Sequence, residues 1–278
     1  MKKYVFLLLT ALLVAGCEKQ AEDIADAGFR DVKLHLTGDG WSVVTRALQS
    51  DGHDMTDLWL FDYLDGDLVA TVHKVTDDVD FDEPTLHMRH GCHQVYIVAS
   101  RGKTPSISGT EITWQTPSDT FWKNIAIDVG LTSSPDVTVA LDRVATKLSV
   151  KVTDEISDGA SVLVMKPSTW FYGIDYQTGE AVAGSDAERR VSLPATLIGT
   201  TGQLAAGFYG LSDSGEWTTD VHVAVLDADD NTMGEVVLPD VPFLRNRVTE
   251  ASGGLFSSSK GFHITLNDEW LDTYSIEW

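Results

Sequence analysis

Hydrophobic and polar residues alternate with a period of two along much of this chain. Val32, Leu34 and Leu36 are separated by Lys33 and His35, so every second side chain is apolar. Such alternation is typical of β-strands with one face in a core and the other in water. Further segments with strand character are Leu58–Tyr63, Leu68–Val72, Thr85–Arg89, Gln94–Ser100, Glu111–Gln115, Val137–Leu141, Lys147–Val152, Ser161–Lys166, Val221–Leu226 and Gly234–Leu238.

Turn residues between these segments indicate the fold class. Asp65 and Gly66 predict a type I′ turn that joins two strands in a hairpin, and Gly91 separates two further strands. No segment of ten or more residues combines a helical period with helix caps, and residues 117–124 are the best candidate for a helical turn. The sequence therefore predicts an all-β protein of antiparallel β-sandwiches and disfavours a parallel α/β fold.

The first seventeen residues have the pattern of an export signal. Lys2 and Lys3 precede an apolar run, residues 4–14, which is too short to span a bilayer and is followed by small residues. Residues 14–17, Val-Ala-Gly-Cys, resemble the lipobox of bacterial lipoproteins. The resemblance implies cleavage after residue 16 and a diacylglyceryl thioether on Cys17. We therefore expect a surface-exposed lipoprotein of the outer membrane, held there by its lipid.

Composition divides the rest of the chain. Residues 17–28 are polar and acidic, without strand or core signals, and predict a flexible tether. A chain of 278 residues is long enough for two domains after its signal. One predicted strand ends near residue 141 and another begins near 147, so we expect an N-terminal sandwich over 29–143 and a C-terminal sandwich over 144–278.

Charge and motifs exclude several functions. The formal net charge is −22, which argues against nucleic acid as a partner because phosphate backbones require a basic surface. The sequence contains none of the common catalytic or nucleotide-binding motifs. A hydrolase would require a cleft with converging carboxylates, which sequence alone does not reveal. We therefore expect a protein without enzymatic activity and without a cofactor.

Two groups of residues look like metal ligands, but neither has suitable spacing. The first group consists of His87, His90, Cys92 and His93. In an extended strand His87 and His93 share a face that His90 does not, so we predict no metal site here. The second group is the acidic run 227–231, which departs from a calcium loop because Thr232 and Leu238 stand where glycine and glutamate are needed. We predict a solvated hairpin turn there.

Eight tryptophans suggest a second possible function. Indole faces stack on sugar rings, so a surface lipoprotein rich in tryptophan could bind glycans. Tryptophan also fills the cores of β-sandwiches, and no spacing in the sequence places two of these side chains on one platform. The candidates for glycan contact are Trp114, Trp122, Trp170 and Trp217.

Several segments resemble the fimbrillin superfamily, the subunits and anchors of fimbriae made by gut and oral anaerobes. The similar segments are residues 55–62 with the turn at 65–66, residues 86–100 around Gly91, residues 139–148 around Arg143, and residues 241–256. The resemblance implies two tandem transthyretin-like β-sandwiches, in agreement with the strand pattern. It also implies assembly by donor-strand exchange, in which an extended segment of one subunit completes the sheet of another.

The resemblance implies two further sites. In some fimbrillins an arginine-specific protease removes the N-terminal strand, and Arg46 is the candidate cleavage site here. Tyr274, Ile276 and Trp278 alternate with polar residues and form the candidate strand-exchange segment. We expect a lipid-linked fimbrial subunit of anchor or accessory type that supports adhesion, with other subunits and host proteins or glycans as partners. A polymerising stalk subunit cleaved at Arg46 is the alternative, as is an outer-surface glycan-binding lipoprotein.

Overall fold

A computed structural model of the chain describes residues 28–38, 55–101, 104–131, 135–257 and 261–267. The strands before residue 144 are β1 (Phe29–Thr37), β2 (Asp57–Leu64), β3 (Asp67–Val75), β4 (Thr85–Arg89), β5 (Gly91–Ser100), β6 (Ser106–Ser108), β7 (Glu111–Thr113), β8 (Thr120–Val129), β9 (Asp136–Ala140) and β10 (Asp142–Arg143). The later strands are β11 (Ala145–Val152), β12 (Val162–Pro167), β13 (Trp170–Asp175), β14 (Ala181–Ser185), β15 (Arg189–Ser192), β16 (Leu204–Leu211), β17 (Trp217–Leu226), β18 (Thr232–Phe243), β19 (Val248–Gly253) and β20 (Phe262–Asn267), with a 3₁₀ helix at Ala195–Leu197. The predicted all-β sandwich fold is confirmed.

The first sandwich consists of two sheets that face each other. Its smaller sheet has the strand order β4-β1-β9, and its larger sheet has the order β10-β8-β5-β2-β3. Alternating side chains from both sheets meet in one core, which explains the period of two in the sequence. The largest fully buried members of this core are Leu34, Met55, Leu58, Leu60, Met88, Ile97 and Phe121.

The second sandwich also packs two sheets around one core. One sheet has the order β15-β12-β17-β18, and the other runs β20-β19-β11-β16-β13-β7-β6, with β14 beside β13. Trp170 is fully buried in this core, where its ring lies 4.8 Å from Phe208 and 5.1 Å from Phe243. Its indole N–H donates to the Tyr209 carbonyl at 3.0 Å. The polar atom of a very large core residue is therefore satisfied.

The sheets are mostly antiparallel, as predicted, but two strand pairs are parallel. β1 runs parallel to β9, from Lys33 opposite Asp136 to Thr37 opposite Ala140. β11 runs parallel to β19 in the same way. Parallel neighbours require a long crossover connection, and many residues separate the two strands of each pair. An alternating pattern shows that a strand has a buried face but not in which direction its neighbour runs.

The prediction of a helical turn at residues 117–124 is wrong. Within this segment β8 begins at Thr120, and Phe121 and Trp122 point to opposite faces of the sheet. Phe121 fills the first core, whereas Trp122 packs in a third cluster between the two sandwiches. Because both faces of the strand are covered by apolar groups, the sequence shows no alternation here.

Residues 106–113 connect the two sandwiches. They form the hairpin β6–β7, which lies before residue 144 in the chain but pairs with β13 in the second sandwich, from Glu111 opposite Asp175 to Thr113 opposite Gly173. The boundary between 29–143 and 144–278 stays a prediction, and this hairpin reaches across it.

Candidate functional site

The first strand of the first sandwich occupies an unusual position in its sheet. Residues 29–33 of β1 pair with β4 in antiparallel register, whereas residues 33–37 pair with β9 in parallel register. Lys33 is the one residue common to both ladders. Three further backbone bonds fix the second half: from Leu34 N–H to the Pro84 carbonyl at 3.0 Å, from Leu36 N–H to the Asp82 carbonyl at 3.5 Å, and from Leu141 N–H to the Thr37 carbonyl at 2.7 Å. Each half of β1 therefore has one regular ladder partner.

The inner face of β1 completes the first core. Val32, Leu34 and Leu36 alternate on this face, and all three are buried. Full burial of one aliphatic side chain contributes about 1.5–3 kcal/mol. Removal of β1 would uncover an apolar groove between β4 and β9, wide enough for one strand.

The outer face of β1 is polar and exposed. Lys33 and His35 both contact the Glu83 carboxylate, which lies 2.8 Å from Nδ1 of His35. The hydrogen bond to Glu83 raises the pKa of Lys33, and the bonds from Lys33 and His35 lower the pKa of Glu83. Phe29 stacks on His87 of β4 with ring centroids 4.6 Å apart.

The candidate cleavage site lies in the part of the chain that follows β1. The described chain leaves β1 at Gly38 and resumes at Met55, just before β2. Arg46, the candidate cleavage residue, falls between these two points. A cut there would leave β1 attached to the sandwich by non-covalent contacts alone.

The other predicted site residues also lie outside the described residues. Cys17, the candidate lipidation site, precedes the first described residue. Tyr274, Ile276 and Trp278, the candidate strand-exchange segment, follow the last one, Asn267. Lipidation, cleavage and strand donation at these residues stay predictions.

A buried ion pair lies at the end of the first core, where β4 passes into β5. Nδ1 of His93 is 2.7 Å from the Asp62 carboxylate, and Nε2 is 2.9 Å from the Arg89 carbonyl. Burial alone lowers the pKa of His93, but the hydrogen bonds to Asp62 and to the Arg89 carbonyl outweigh this effect and raise it. A ring protonated on both nitrogens donates to both oxygens, so this histidine joins the two sheets.

The expectation that His87 and His93 share a face is wrong. Gly91, with φ of +141°, turns the chain from the smaller sheet into the larger one, so the two strands do not form one continuous strand. His87 is exposed and pairs with Asp31, whereas His93 is buried. In the described ranges no group of three or more His, Cys, Asp or Glu residues could hold a metal ion.

The acidic run 227–231 forms the predicted hairpin turn, between β17 and β18. Oδ1 of Asp227 accepts hydrogen bonds from the backbone N–H groups of Asp229 and Asn231, at 2.9 and 2.8 Å. Asp230 has φ of +62° and pairs with Arg190 on β15, at the far edge of the same sheet. The acids therefore close a turn.

The four candidate tryptophans pack inside the protein. Trp114 and Trp170 are buried, and Trp122 and Trp217 are half-buried. The indole N–H of Trp122 donates to the Tyr176 carbonyl, and that of Trp217 donates to Ser212 Oγ. These four side chains form no exposed platform for a sugar.

The two sandwiches meet through an aromatic and polar junction, of which sequence reasoning found only the stretch around Arg143. The Tyr176 ring stacks on Phe61 with centroids 3.8 Å apart, and its hydroxyl lies 2.9 Å from that of Tyr63. Burial raises the pKa of Tyr176 above its ordinary value. The hydrogen bond to Tyr63 raises it as well, by a smaller amount. Arg143 donates twice to Asp119, at 2.8 and 3.0 Å, and once to Asn246. Side chains of both sandwiches therefore contribute hydrogen bonds to this junction.

The geometry defines a protein of two consecutive all-β sandwiches, in which the first described strand completes the core of the first sandwich. No protein-family model and no curated protein matches the sequence. None of the helices in the described ranges combines the length and apolar character needed to cross a membrane.

Solved structures with a similar fold come from Bacteroides and Parabacteroides species. A candidate polysaccharide-binding protein from Bacteroides thetaiotaomicron has a TM-score of 0.60 at 8% identity, over 86% of this chain and 96% of that one. A candidate adhesin from Bacteroides ovatus has a TM-score of 0.53 at 11% identity, over 86% and 93%. A fimbrial assembly protein from Parabacteroides distasonis has a TM-score of 0.51 at 14% identity, over 86% and 99%. At these identities the likeness shows the fold.

Proposed function

We propose that this chain is a non-enzymatic cell-surface protein of adhesion or fimbrial assembly, a lipid-linked subunit of anchor or accessory type. The observation that carries the proposal is the position of β1, a terminal strand that completes a core yet precedes a candidate cleavage site. The names of the similar structures, an adhesin and a fimbrial assembly protein, agree with this role.

Attachment rests on Cys17. The lipobox-like segment would place a lipid on this residue, and the acidic tether would separate the sandwiches from the membrane. An anchored chain that is not cut at Arg46 would also retain β1, because β1 lies between Cys17 and Arg46.

Assembly rests on strand exchange. The groove beneath β1 offers two ladder partners and three apolar positions at alternate residues, which are occupied by Val32, Leu34 and Leu36. The C-terminal segment of this chain has the same alternation, at Tyr274, Ile276 and Trp278, as a donated strand would need. An anchor would donate its C-terminal segment to a neighbouring subunit. A stalk subunit cut at Arg46 would in addition receive a segment in the groove beneath β1.

The mature N-terminus separates these two roles. We expect the protein from outer-membrane fractions to begin at Cys17 and to carry the mass of attached acyl chains. The variant Cys17→Ser should lose this mass and leave the membrane fraction, whereas Arg46→Gln should change neither. A mature chain that begins at Ala47 would show a stalk subunit instead.

Strand exchange is tested with purified protein cut at Arg46. A synthetic peptide of residues 267–278 should displace the fragment that contains β1, as followed by size exclusion and mass spectrometry. The matched control is the same peptide with serine in place of Tyr274, Ile276 and Trp278. Equal displacement by both peptides, or none by either, would refute a role for this segment.

Glycan binding is the second candidate function, because one similar structure is named as a candidate polysaccharide-binding protein. A glycan array probed with the purified chain tests it. Saturable binding to one glycan class that survives deletion of residues 268–278 would favour this function over subunit assembly.

A further inference from the structure

Every open β-sheet ends in strands whose outer N–H and C=O groups lack a ladder partner, and proteins usually protect such edges. In the described ranges, the larger sheet of the first sandwich ends in β3, and one sheet of the second sandwich ends in β18. With nine and twelve residues, these are the two longest edge strands described.

The two edges are protected very differently. β18 contains Pro239 and Pro242, and its register against β17 shifts twice. Proline and bulges prevent another strand from adding to an edge. β3 contains no proline, and its one irregularity lies near the turn, beside Val69. From Ala70 to Val75 it is in regular register with β2.

The open part of β3 is short and rigid. The Thr76 N–H group donates to the Thr56 carbonyl, so by alternation the backbone groups of Thr71 and His73 face away from β2. The Val75 N–H group is already bonded to Asp78 at 2.9 Å. The His73 ring stacks on Trp59 and its Nε2 lies 3.0 Å from Asp57, which fixes the strand before any partner arrives.

This edge has exposed apolar residues on either side of Thr71 and His73, and acidic residues near both of its ends. Four of the eight large apolar residues that are exposed in the described ranges lie on β3 or in the turn after it, namely Leu68, Val69, Val75 and Val79. Asp65 and Asp67 precede Leu68, and Asp77 and Asp78 lie between Val75 and Val79. Lys74, the one lysine or arginine between them, pairs with Asp80 at 2.9 Å.

We propose that β3 is a docking edge for an extended segment of another protein, with apolar residues at alternate positions and Lys or Arg at both ends. The segment would add to the sheet as a further strand through the backbone groups of Thr71 and His73. A second copy of this chain fits less well, because antiparallel self-pairing about Thr71 brings the acidic ends of the two copies together. The proposal requires neither lipid on Cys17 nor cleavage at Arg46.

The experiment uses the full chain after signal removal and a fluorescent nonapeptide, Lys-Arg-Val-Thr-Val-Thr-Val-Lys-Arg, with binding followed by anisotropy. We expect saturable binding that weakens about tenfold when the four basic residues become glutamate, because charge complementarity is lost. Methylation of alternate peptide amides on one edge should weaken binding at least about tenfold, since it removes the ladder bonds. The matched protein variants are D65N/D67N, which should weaken binding, and D229N/D230N, which removes the same charge from the β17–β18 turn and should not.

Three results would overturn the proposal. The first is the absence of binding at peptide concentrations up to about 1 mM, the weak limit of specific recognition. The second is equal binding of the amide-methylated peptide, which shows that no strand is added. The third is an equal loss in both protein variants. The last experiment is sedimentation of the chain without the peptide. A dimer that becomes tighter in D65N/D67N, and that added peptide does not dissociate, would assign the edge to a second copy of this chain.

Discussion

Both sandwiches begin with a strand that has one antiparallel and one parallel neighbour, yet the two strands are held very differently. β11 pairs with β16 over eight residues and with β19 over six, and β19 is itself covered by β20. β1 pairs with each neighbour over five residues, one half at a time, and β9 has no further described neighbour. The same topology thus gives the strand of the second sandwich longer ladders on both sides than the strand of the first.

The largest expected effect compares one buried leucine from each strand. Leu34 on β1 and Leu148 on β11 are both fully buried, so Leu34→Ala and Leu148→Ala should each lower the stability of their own sandwich by about 2–5 kcal/mol. After cleavage at Arg46 the two variants should differ, because Leu34→Ala then releases β1 while Leu148→Ala leaves it bound. Hydrogen exchange read strand by strand measures both effects. Retention of β1 in the cleaved Leu34→Ala protein would contradict the comparison.

The next largest effect on stability is expected at the turn that places β20 beside β19. Asp154 accepts hydrogen bonds from the backbone N–H groups of Leu255, Phe256 and Ser257, and so fixes the turn that leads from β19 to β20. Asp154→Ala should destabilise the second sandwich by about 2–3 kcal/mol, because these donors lose a charged acceptor. Increased exchange confined to β19 and β20 is the expected measurement, and unchanged exchange there would refute the role of this turn.

This interaction also has a pH dependence of known sign. Burial raises the pKa of Asp154, but the backbone hydrogen bonds outweigh it and lower the pKa. Its contribution is therefore present above the unfolded value of about 3.9 and is lost as the pH falls through the lower folded value. The Asp154→Ala variant should lack this acid-dependent loss, whereas Asp227→Ala, at an exposed turn, should retain it.

Local turn chemistry explains which parts of this fold could be predicted. Asp65 and Gly66 have φ of +53° and +94°, as a type I′ turn requires, so two residues were enough to predict the β2–β3 hairpin. β16 was missed because Gly207 and Gly210 interrupt its pattern. A Cβ atom at Gly210 would lie 2.4 Å from Trp170, so the glycine is set by a partner forty residues away.

The candidate site shows the same limit. Alternation identified the inner face of β1, but its two neighbours, β4 and β9, follow from tertiary pairing that no local pattern encodes. His93 and Asp62 are 31 residues apart in the chain, and only the register of β2 and β5 brings them together. Local patterns specify a strand and its turn; long-range register specifies what the strand contacts.

A smaller effect is expected at the His93–Asp62 pair, which has no counterpart among the buried residues described in the second sandwich. Because the folded pKa of His93 is raised, its contribution is fully present below about pH 6.5 and is lost as the pH rises through the raised value. His93→Gln should lower the stability of the first sandwich by about 1–2 kcal/mol at pH 6 and remove this dependence. Denaturant titrations at pH 6 and pH 9 measure it; a wild-type first sandwich that is equally stable at both would contradict the assignment.

The smallest effect tests what holds β1 in place. Lys33 and His35 converge on Glu83 from the outer face, where all three residues are half-buried and ion pairs that solvent can reach contribute little. If backbone ladders and the three inner side chains retain β1, then Glu83→Gln should leave its release from the cleaved protein unchanged at low and high salt. Leu36→Ala, on the inner face of β1, should accelerate the release of β1 under both conditions. Faster release in Glu83→Gln, abolished by high salt, would show instead that charge holds the first strand and that the two sandwiches differ by electrostatics as well as by pairing.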